Sequence, residues 1–149
     1  MSLISRVRTA SALPPGERAL ALRAVAGLAL VRLVLPLVGF TRIARALDGT
    51  TVRRHRRPGR PPSAADVRRA MQRAARTVPG TRCLAEAIVA MRLLRRAGLP
   101  AEMEIGVARG SDAARPLDAH AWVRSGDFTV TGDAEFERYA RLIQVSGGA

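Results

Sequence analysis

The sequence has one cysteine, very few aromatic residues and no lysine. A single cysteine, Cys83, cannot form an internal disulfide, which excludes a small secreted scaffold held together by disulfide bonds. Aromatic residues make up only 3% of the chain, so the core has to be built from leucine, valine, isoleucine and alanine. The first residues, MSLISRVRTASALPPGER, lack the apolar stretch of a signal peptide, and we therefore expect a cytoplasmic location.

The absence of lysine makes the net charge of +13 entirely an arginine charge. Abundant arginine, alanine, glycine and proline are typical of a GC-rich genome, so the charge gives only weak support for nucleic-acid binding. No aromatic residues are interleaved with the arginines for base stacking, and no nucleic-acid motif surrounds them. The charge does predict a preference for acidic partners and an association that weakens as salt is added.

The length of 149 residues and the 48% of apolar residues predict a folded domain with a real core. We expect an α+β fold, in which N-terminal helices and a central helix carrying the cysteine pack on a small antiparallel sheet. Two regions are predicted: a helical N-terminal region with an arginine- and proline-rich linker over residues 1–62, and a compact core over residues 63–149.

A long apolar run extends from Arg18 to Phe40 and is expected to break at Pro36. We expect most of it to pack on the domain as one of a pair of helices, the second ending at Gly49. A docking surface for a partner is the alternative, and a membrane span is disfavoured because the run contains two arginines and a proline. The face predicted to be buried comprises Leu22, Val25, Ala26, Ala29, Leu33 and Leu37.

The predicted core begins with a capping box formed by Ser63 and Asp66. This capping box starts the first helix of the core. The second helix of the core carries an apolar stripe, formed by Leu84, Ile88, Met91 and Leu94, and ends at Gly98. The remaining expected elements are a strand at 102–108, a loop at 109–118, a β-hairpin at 119–133 with Gly126-Asp127 as its turn, and a last helix or turn at 135–143.

Cys83 lies at the start of the second core helix. If Thr81 is the N-cap, Cys83 occupies the second helical position, where backbone N–H groups have no intrahelical partner and stabilise a thiolate. A lone cysteine is more often a small buried apolar residue. Its interpretation as a nucleophile therefore depends on a base being available elsewhere in the chain.

The hairpin offers that base and an acid to orient it. With Gly126-Asp127 as the turn, Ser125 faces Phe128, and the same register places His120 opposite Asp133. A carboxylate there would fix the imidazole for proton transfer. Asp118 and Asp127 are the competing carboxylates. One cysteine and one nearby histidine supply only half of the usual zinc ligands, so neither a metal nor a cofactor is expected.

Four segments together resemble the lasso-peptide leader peptidase family, in the form of its stand-alone peptidase half. They are Cys83-Leu84, the run LLRRAGLPAE at 93–102, Ile105-Gly106-Val107, and AHAWV at 119–123. This family belongs to the transglutaminase-like superfamily and has a papain-like Cys-His-Asp arrangement. The resemblance covers roughly residues 78–143.

The resemblance implies a function and a set of partners. Cys83 would be the nucleophile, His120 the general base and acid, and Asp133 the residue that orients His120. The substrate would be a ribosomally made lasso-peptide precursor, cut at the junction between leader and core. A separate leader-recognition protein of winged-helix type would be required, and the ATP-dependent lasso cyclase is a further candidate partner. Neither nucleic acid nor a membrane is expected as a partner.

Two other functions remain compatible with the sequence. One is a non-catalytic interaction module that uses the arginine-rich segment and the apolar N-terminal helices. The other is a transglutaminase-type acyl transferase, which would use the same cysteine but pass the acyl group to an amine instead of water.

Overall fold

The computed structural model describes residues 13–39, 41–42, 60–112, 115–132 and 138–147. Helices precede a four-stranded antiparallel sheet of order β3-β2-β1-β4, which confirms the predicted α+β class. The elements are α1 (Pro15–Val38), α2 (Ala64–Thr77), α3 (Cys83–Ala97), β1 (Ala101–Asp112), β2 (Arg115–Ser125), β3 (Phe128–Thr131) and β4 (Ala140–Gly147).

Helix α1 begins at Pro15, where proline is favoured because the N–H it lacks would have no intrahelical partner. The predicted break at Pro36 is wrong, since the helix continues to Val38. Because Pro36 lies in the last turn, the hydrogen bond that it cannot donate is lost close to the end of the helix. Gly39 ends the helix with a φ of 78°, and its N–H donates to the Leu35 carbonyl at 3.0 Å.

One face of α1 lies in the core. Leu20, Ala24 and Leu28, spaced four residues apart, are buried among the side chains of α2 and α3. The contact with α3 is close, because a Cβ at Gly27 would lie 2.9 Å from a methyl group of Val89. The prediction that this helix packs on the domain is therefore confirmed.

The opposite face of α1 is exposed. Of the six residues predicted to be buried, Val25 packs against the core and the other five are exposed, so the prediction of the buried face is wrong for most of its residues. Leu22, Leu33 and Leu37 are 63, 68 and 83% exposed. Because the helix is apolar nearly all round, the pattern alone could not select a face. Among the described residues, α1 is the helix whose length and apolar composition would allow a membrane crossing, with a mean hydropathy of 2.0. This criterion is also met by core helices and by signal sequences.

Helix α2 begins with the predicted capping box. The Asp66 N–H donates to Ser63 Oγ at 3.2 Å, and the Ser63 N–H donates to Asp66 Oδ2 at 2.8 Å. The hydrogen bonds that the Ser63 N–H and hydroxyl donate to Asp66 Oδ2 stabilise the carboxylate, and with help from Arg69 they hold the pKa of Asp66 below its usual value. The helix buries one face, formed by Val67, Ala70, Met71 and Ala74.

Helix α3 runs through the middle of the core. Ile88, Met91 and Leu94 of the predicted stripe are buried, and Leu84 is partly buried. Gly98 ends the helix in the left-handed conformation, with a φ of 74° that favours glycine. The stripe and the C-terminus of this helix are thus confirmed.

The sheet has two chemically different faces because side chains alternate along each strand. On the side of the helices, Met103 pairs with Val123 across β1 and β2, and both are buried in the core. On the other side, Glu104 pairs with Trp122. The next pair that faces away from the helices is Gly106 with His120. The histidine therefore projects from the face of β2 that the helices do not cover.

Two predicted elements differ from the structure. The loop expected at 109–118 is mostly strand, since β1 extends to residue 112 and β2 starts at residue 115. The helix or turn expected at 135–143 is wrong for residues 140–143, which lie in β4. The second N-terminal helix beyond residue 42 and the linker up to residue 59 lie outside the described residues, and the boundary at residue 62 stays a prediction.

Candidate active site

Cys83 is the first residue of α3, not the second helical residue as predicted. Arg82 is the N-cap, with extended backbone angles, and its carbonyl accepts the first helical hydrogen bond from the Glu86 N–H at 3.2 Å. Thr81 does not cap the helix because its hydroxyl donates to Glu86 Oε1 at 2.9 Å. The half-buried thiol still lies at the positive end of the helix dipole, beside N–H groups without a helical partner.

The thiol of Cys83 lies against strand β2. Its Sγ is 3.9 Å from the carbonyl oxygen of Ala119, the residue immediately before His120. In the described part of the chain no hydrogen bond joins the thiol to the imidazole, which projects from the other face of the strand. The structure thus brings the cysteine to the backbone of the histidine strand, without direct contact between the two side chains.

Two aromatic rings hold the imidazole of His120. The Trp122 ring stacks with it at a centroid distance of 6.3 Å and an interplanar angle of 22°, and the Tyr139 ring at 5.4 Å and 27°. Stacking of this kind restricts the rotation of the ring. The half-buried His120 is therefore oriented by packing.

A buried carboxylate fixes the tryptophan in turn. Glu104 is only 2% exposed, accepts a hydrogen bond from Trp122 Nε1 at 2.8 Å, and lies 3.3 Å from Nε of Arg141. The strand predicted at 102–108 does not indicate that this carboxylate is buried, because a glutamate between apolar residues is typical of an exposed face. The available signal was the tryptophan itself, since a buried indole N–H requires an acceptor.

The main chain at Gly132 packs beside the same rings. A Cβ at this position would lie 2.5 Å from the Cβ of Trp122 and 3.5 Å from Nε2 of His120, and the φ of Gly132 is +95°. Both the close approach and the backbone angle require glycine here. The backbone just after β3 therefore lies beside the imidazole at residue 132.

The predicted pairing of His120 with Asp133 does not follow from the observed ladder. The turn is as predicted, since Ser125 pairs with Phe128, but the register shifts by one residue between Arg124 and Val123, and Val123 pairs with Thr131. A bulge of this kind increases the twist at the end of a hairpin. β3 ends at Thr131, and Asp133 lies outside the described residues. Its role stays a prediction.

Asp118, one of the carboxylates that could orient His120, already binds two other side chains. Tyr139 donates its hydroxyl to Asp118 Oδ2 at 2.9 Å, and Arg138 contacts the same oxygen at 3.0 Å. The hydrogen bond to this carboxylate raises the pKa of the Tyr139 hydroxyl. Asp118 therefore positions a ring that stacks on His120, whereas the carboxylate itself is directed toward Tyr139 and Arg138.

No group of three or more His, Cys, Asp or Glu side chains within the described ranges is arranged to hold a metal ion. The groups that the fold does bring to one place are a thiol at a helix N-terminus and an imidazole on the adjacent strand. These are the groups that nucleophilic acyl transfer needs, provided that they come within hydrogen-bonding reach of each other.

Comparison with known families shows that residues 27–144 match the model of the transglutaminase-like superfamily. The matched segment contains α2, α3 and most of the sheet, with both Cys83 and His120. This superfamily includes cysteine proteases and acyl transferases. Searches of curated proteins and of solved structures gave no match.

Proposed function

We propose, since the chain belongs to the transglutaminase-like superfamily, that it is a cysteine endopeptidase that removes the leader from a lasso-peptide precursor. The observation that carries the proposal is the position of Cys83, at the first residue of α3 and against the backbone of the strand that bears His120. The segments around these two residues resemble leader peptidases, and this resemblance supports a lasso-peptide precursor as the substrate.

The chemistry would use the side chains of this chain alone. The Cys83 thiolate attacks the scissile carbonyl, and His120 gives its proton to the leaving amine as the C–N bond breaks. A water molecule, deprotonated by His120, then releases the leader as a carboxylic acid and regenerates the thiolate. Asp133 would orient the imidazole. This sequence of steps needs neither a cofactor nor a metal ion.

For thiol and imidazole to exchange a proton, the gap between them has to close. Catalytic hydrogen bonds are often long without substrate and shorten in the Michaelis complex. We infer that binding of the precursor, delivered by a separate leader-recognition protein of winged-helix type, brings the two groups together. We also propose a cytoplasmic location, where the lasso cyclase, a further candidate partner, would use the freed amine.

The central test replaces the nucleophile. We expect the Cys83→Ala variant to lose cleavage of the precursor completely, because no other thiol exists in the chain. Cleavage would be followed by mass spectrometry of a candidate precursor, with and without the leader-recognition protein. Circular dichroism of the variant serves as the control that the fold is retained. Normal cleavage by Cys83→Ala in the presence of the partner would refute the proposal.

A transglutaminase-type acyl transferase is the second candidate, because the same superfamily includes such enzymes. It would form the same thioester and pass it to a primary amine. Adding a small primary amine to the cleavage reaction distinguishes the two: covalent incorporation of the amine indicates transfer, and a free carboxyl terminus indicates hydrolysis.

A non-catalytic interaction module is the remaining alternative. In such a protein the thiol has no functional base, so alkylation by iodoacetamide at neutral pH should proceed at equal rates in the wild type and in a His120→Ala variant. A cysteine peptidase should instead react more slowly once the histidine is removed.

A further inference from the structure

An open cleft of about 390 Å³ lies between α2, the first turn of α3 and the end of β3. Arg68, Gln72 and Arg76 are spaced four residues apart on α2 and therefore share one face of the helix. The polar or backbone groups that line the cleft come from Arg68, Gln72, Arg76, Glu86, Thr131 and Gly132.

The two arginines of the cleft differ in the contacts that their guanidinium groups make within the protein. Arg68 is held in place, since its Nη1 donates to the Thr129 carbonyl at 3.4 Å and its guanidinium lies 5.8 Å from the centre of the Phe128 ring. Arg76 is exposed and makes no ion pair with any described residue. Arg76 is therefore available to an anionic ligand.

A buried hydroxyl lies at the other wall of the cleft. Thr131 is only 7% exposed, and its Oγ1 has no hydrogen-bond partner among the described residues. A buried hydroxyl without a partner destabilises a protein, and an acceptor brought in by a ligand would remove that cost. Thr131 thus adds a donor to the guanidinium of Arg76.

The described side chains that line the cleft carry a net positive charge. Among the described residues, Glu86 is the one carboxylate that lines the cleft, and its Oε1 already accepts the Thr81 hydroxyl at 2.9 Å. Two guanidinium groups against one carboxylate leave a single positive charge, which matches a ligand with one negative charge. The net charge of +13 acts in the same direction over a longer range.

The cleft adjoins the candidate active site on two sides. Gly132, which lines it, is the residue whose Cβ would lie 3.5 Å from Nε2 of His120. Glu86 follows Cys83 by one turn of α3. A peptide with its scissile bond at the thiol would therefore extend naturally into this cleft.

We propose that this cleft binds an acidic side chain, Asp or Glu, of the peptide substrate close to its scissile bond. The carboxylate would pair with Arg76 and accept the Thr131 hydroxyl. This inference rests on the proposed function, because it assigns part of the specificity to the same site.

The test uses a Cys83→Ala protein, which binds peptide without cleaving it. The probes are dye-labelled alanine–glycine peptides that carry a single Glu, moved along the chain, and a matched set with Gln, measured by fluorescence anisotropy. We expect at least one Glu peptide to bind about tenfold more tightly than its Gln counterpart. Equal affinity at every position, or no binding by either set, would overturn the proposal.

Single substitutions then test which residues cause the preference for Glu over Gln peptides. Arg76→Gln and Thr131→Val should each remove most of the preference for Glu, whereas Arg92→Gln, an exposed arginine on α3 outside the cleft, should leave it unchanged. An equal loss with Arg92→Gln would show a general charge effect and overturn the assignment. Thr131→Val should not lower the melting temperature, because it removes an unsatisfied hydroxyl from a buried site.

The two proposals fail in different ways. If the wild type cleaves a precursor but shows the same kcat/KM for the Glu and Gln forms of its sequence near the cut, the assignment of the cleft is wrong and the peptidase stands. If Glu peptides bind selectively but no precursor is cleaved, the cleft stands and the peptidase is wrong.

Discussion

Three aspartates compete for the role of orienting His120, and the structure distinguishes two of them. Asp118 accepts hydrogen bonds from Tyr139 and lies against Arg138, so its charge is already compensated. Asp127 is fully exposed in the hairpin turn, and its contact among the described residues is with Arg124 at 3.7 Å. Asp133 directly follows Gly132, whose backbone lies beside Nε2 of the histidine.

Replacing these aspartates should therefore have unequal effects. We expect Asp133→Asn to lower kcat for precursor cleavage by about two to four orders of magnitude, because the amide no longer stabilises the imidazolium. Asp127→Asn, the matched control, should leave kcat nearly unchanged, since its carboxylate is in solvent. Loss of activity in Asp127→Asn with retention in Asp133→Asn would show that the histidine is oriented from the turn.

The sequence located single residues well where a local signal determined them. The helix start near Cys83, the capping box at Ser63 and the turn at Gly126 all depend on neighbours within a few positions, and all are present in the structure. The register shift near Arg124 depends on how the hairpin twists against the rest of the sheet. Glu104 was missed for a related reason, since its burial depends on Trp122 of the next strand.

At the scale of the element, α1 is the helix for which periodicity was least informative. Nearly every position from Leu20 to Leu37 is apolar, so a hydrophobic stripe can be drawn on either face. Only the contacts of Leu28 with the rest of the core decide which face is inside.

Alanine substitutions on the two faces of α1 should differ sharply. Leu28→Ala removes a fully buried side chain and should lower the free energy of unfolding by about 3 kcal/mol. Leu33→Ala, the control on the same helix, removes a side chain that is 68% exposed and should change it by less than about 0.5 kcal/mol. Urea unfolding measures both, and similar losses would place α1 differently from the structure.

The strands that the sequence missed are stabilised by pairing over long distances in the chain. Residues 140–147 form β4 because β1 offers them a free edge, with Met103 opposite Val145. Taken alone, the segment EFERYARLI has the spacing of a short helix, and local propensity could not reveal the partner strand. The extended tip of β1 and β2 tolerates Pro116 because the ladder is irregular between Arg109 and Asp112.

At the scale of the whole molecule, the N-terminal helix and the predicted core share one set of buried side chains. Leu20, Ala24 and Leu28 belong to the same cluster as residues of α2, α3 and the sheet. Arg32 donates a hydrogen bond to the Pro79 carbonyl, in the turn that precedes the cysteine helix. The superfamily match likewise begins inside α1, at residue 27.

We therefore expect that the fragment 63–149 does not fold on its own. Losing a buried leucine costs about 2–5 kcal/mol, and the loss of Leu20 and Leu28 together approaches the total stability of a typical domain, about 5–15 kcal/mol. Thermal unfolding followed by circular dichroism should show no cooperative transition for the fragment. A transition equal to that of the full chain would establish residues 63–149 as an independent domain.

The chain also holds its own pair of optical probes. Trp122 is the only tryptophan and is excluded from water on the hairpin, and Cys83 is the only thiol and lies at the start of α3. When the tryptophan is excited selectively, a dye attached to that thiol accepts energy from Trp122 alone, so the emission of each reports the separation between the cysteine helix and the histidine strand. Separation of α3 from the sheet as the protein unfolds would then be visible as a loss of energy transfer, without any added residue.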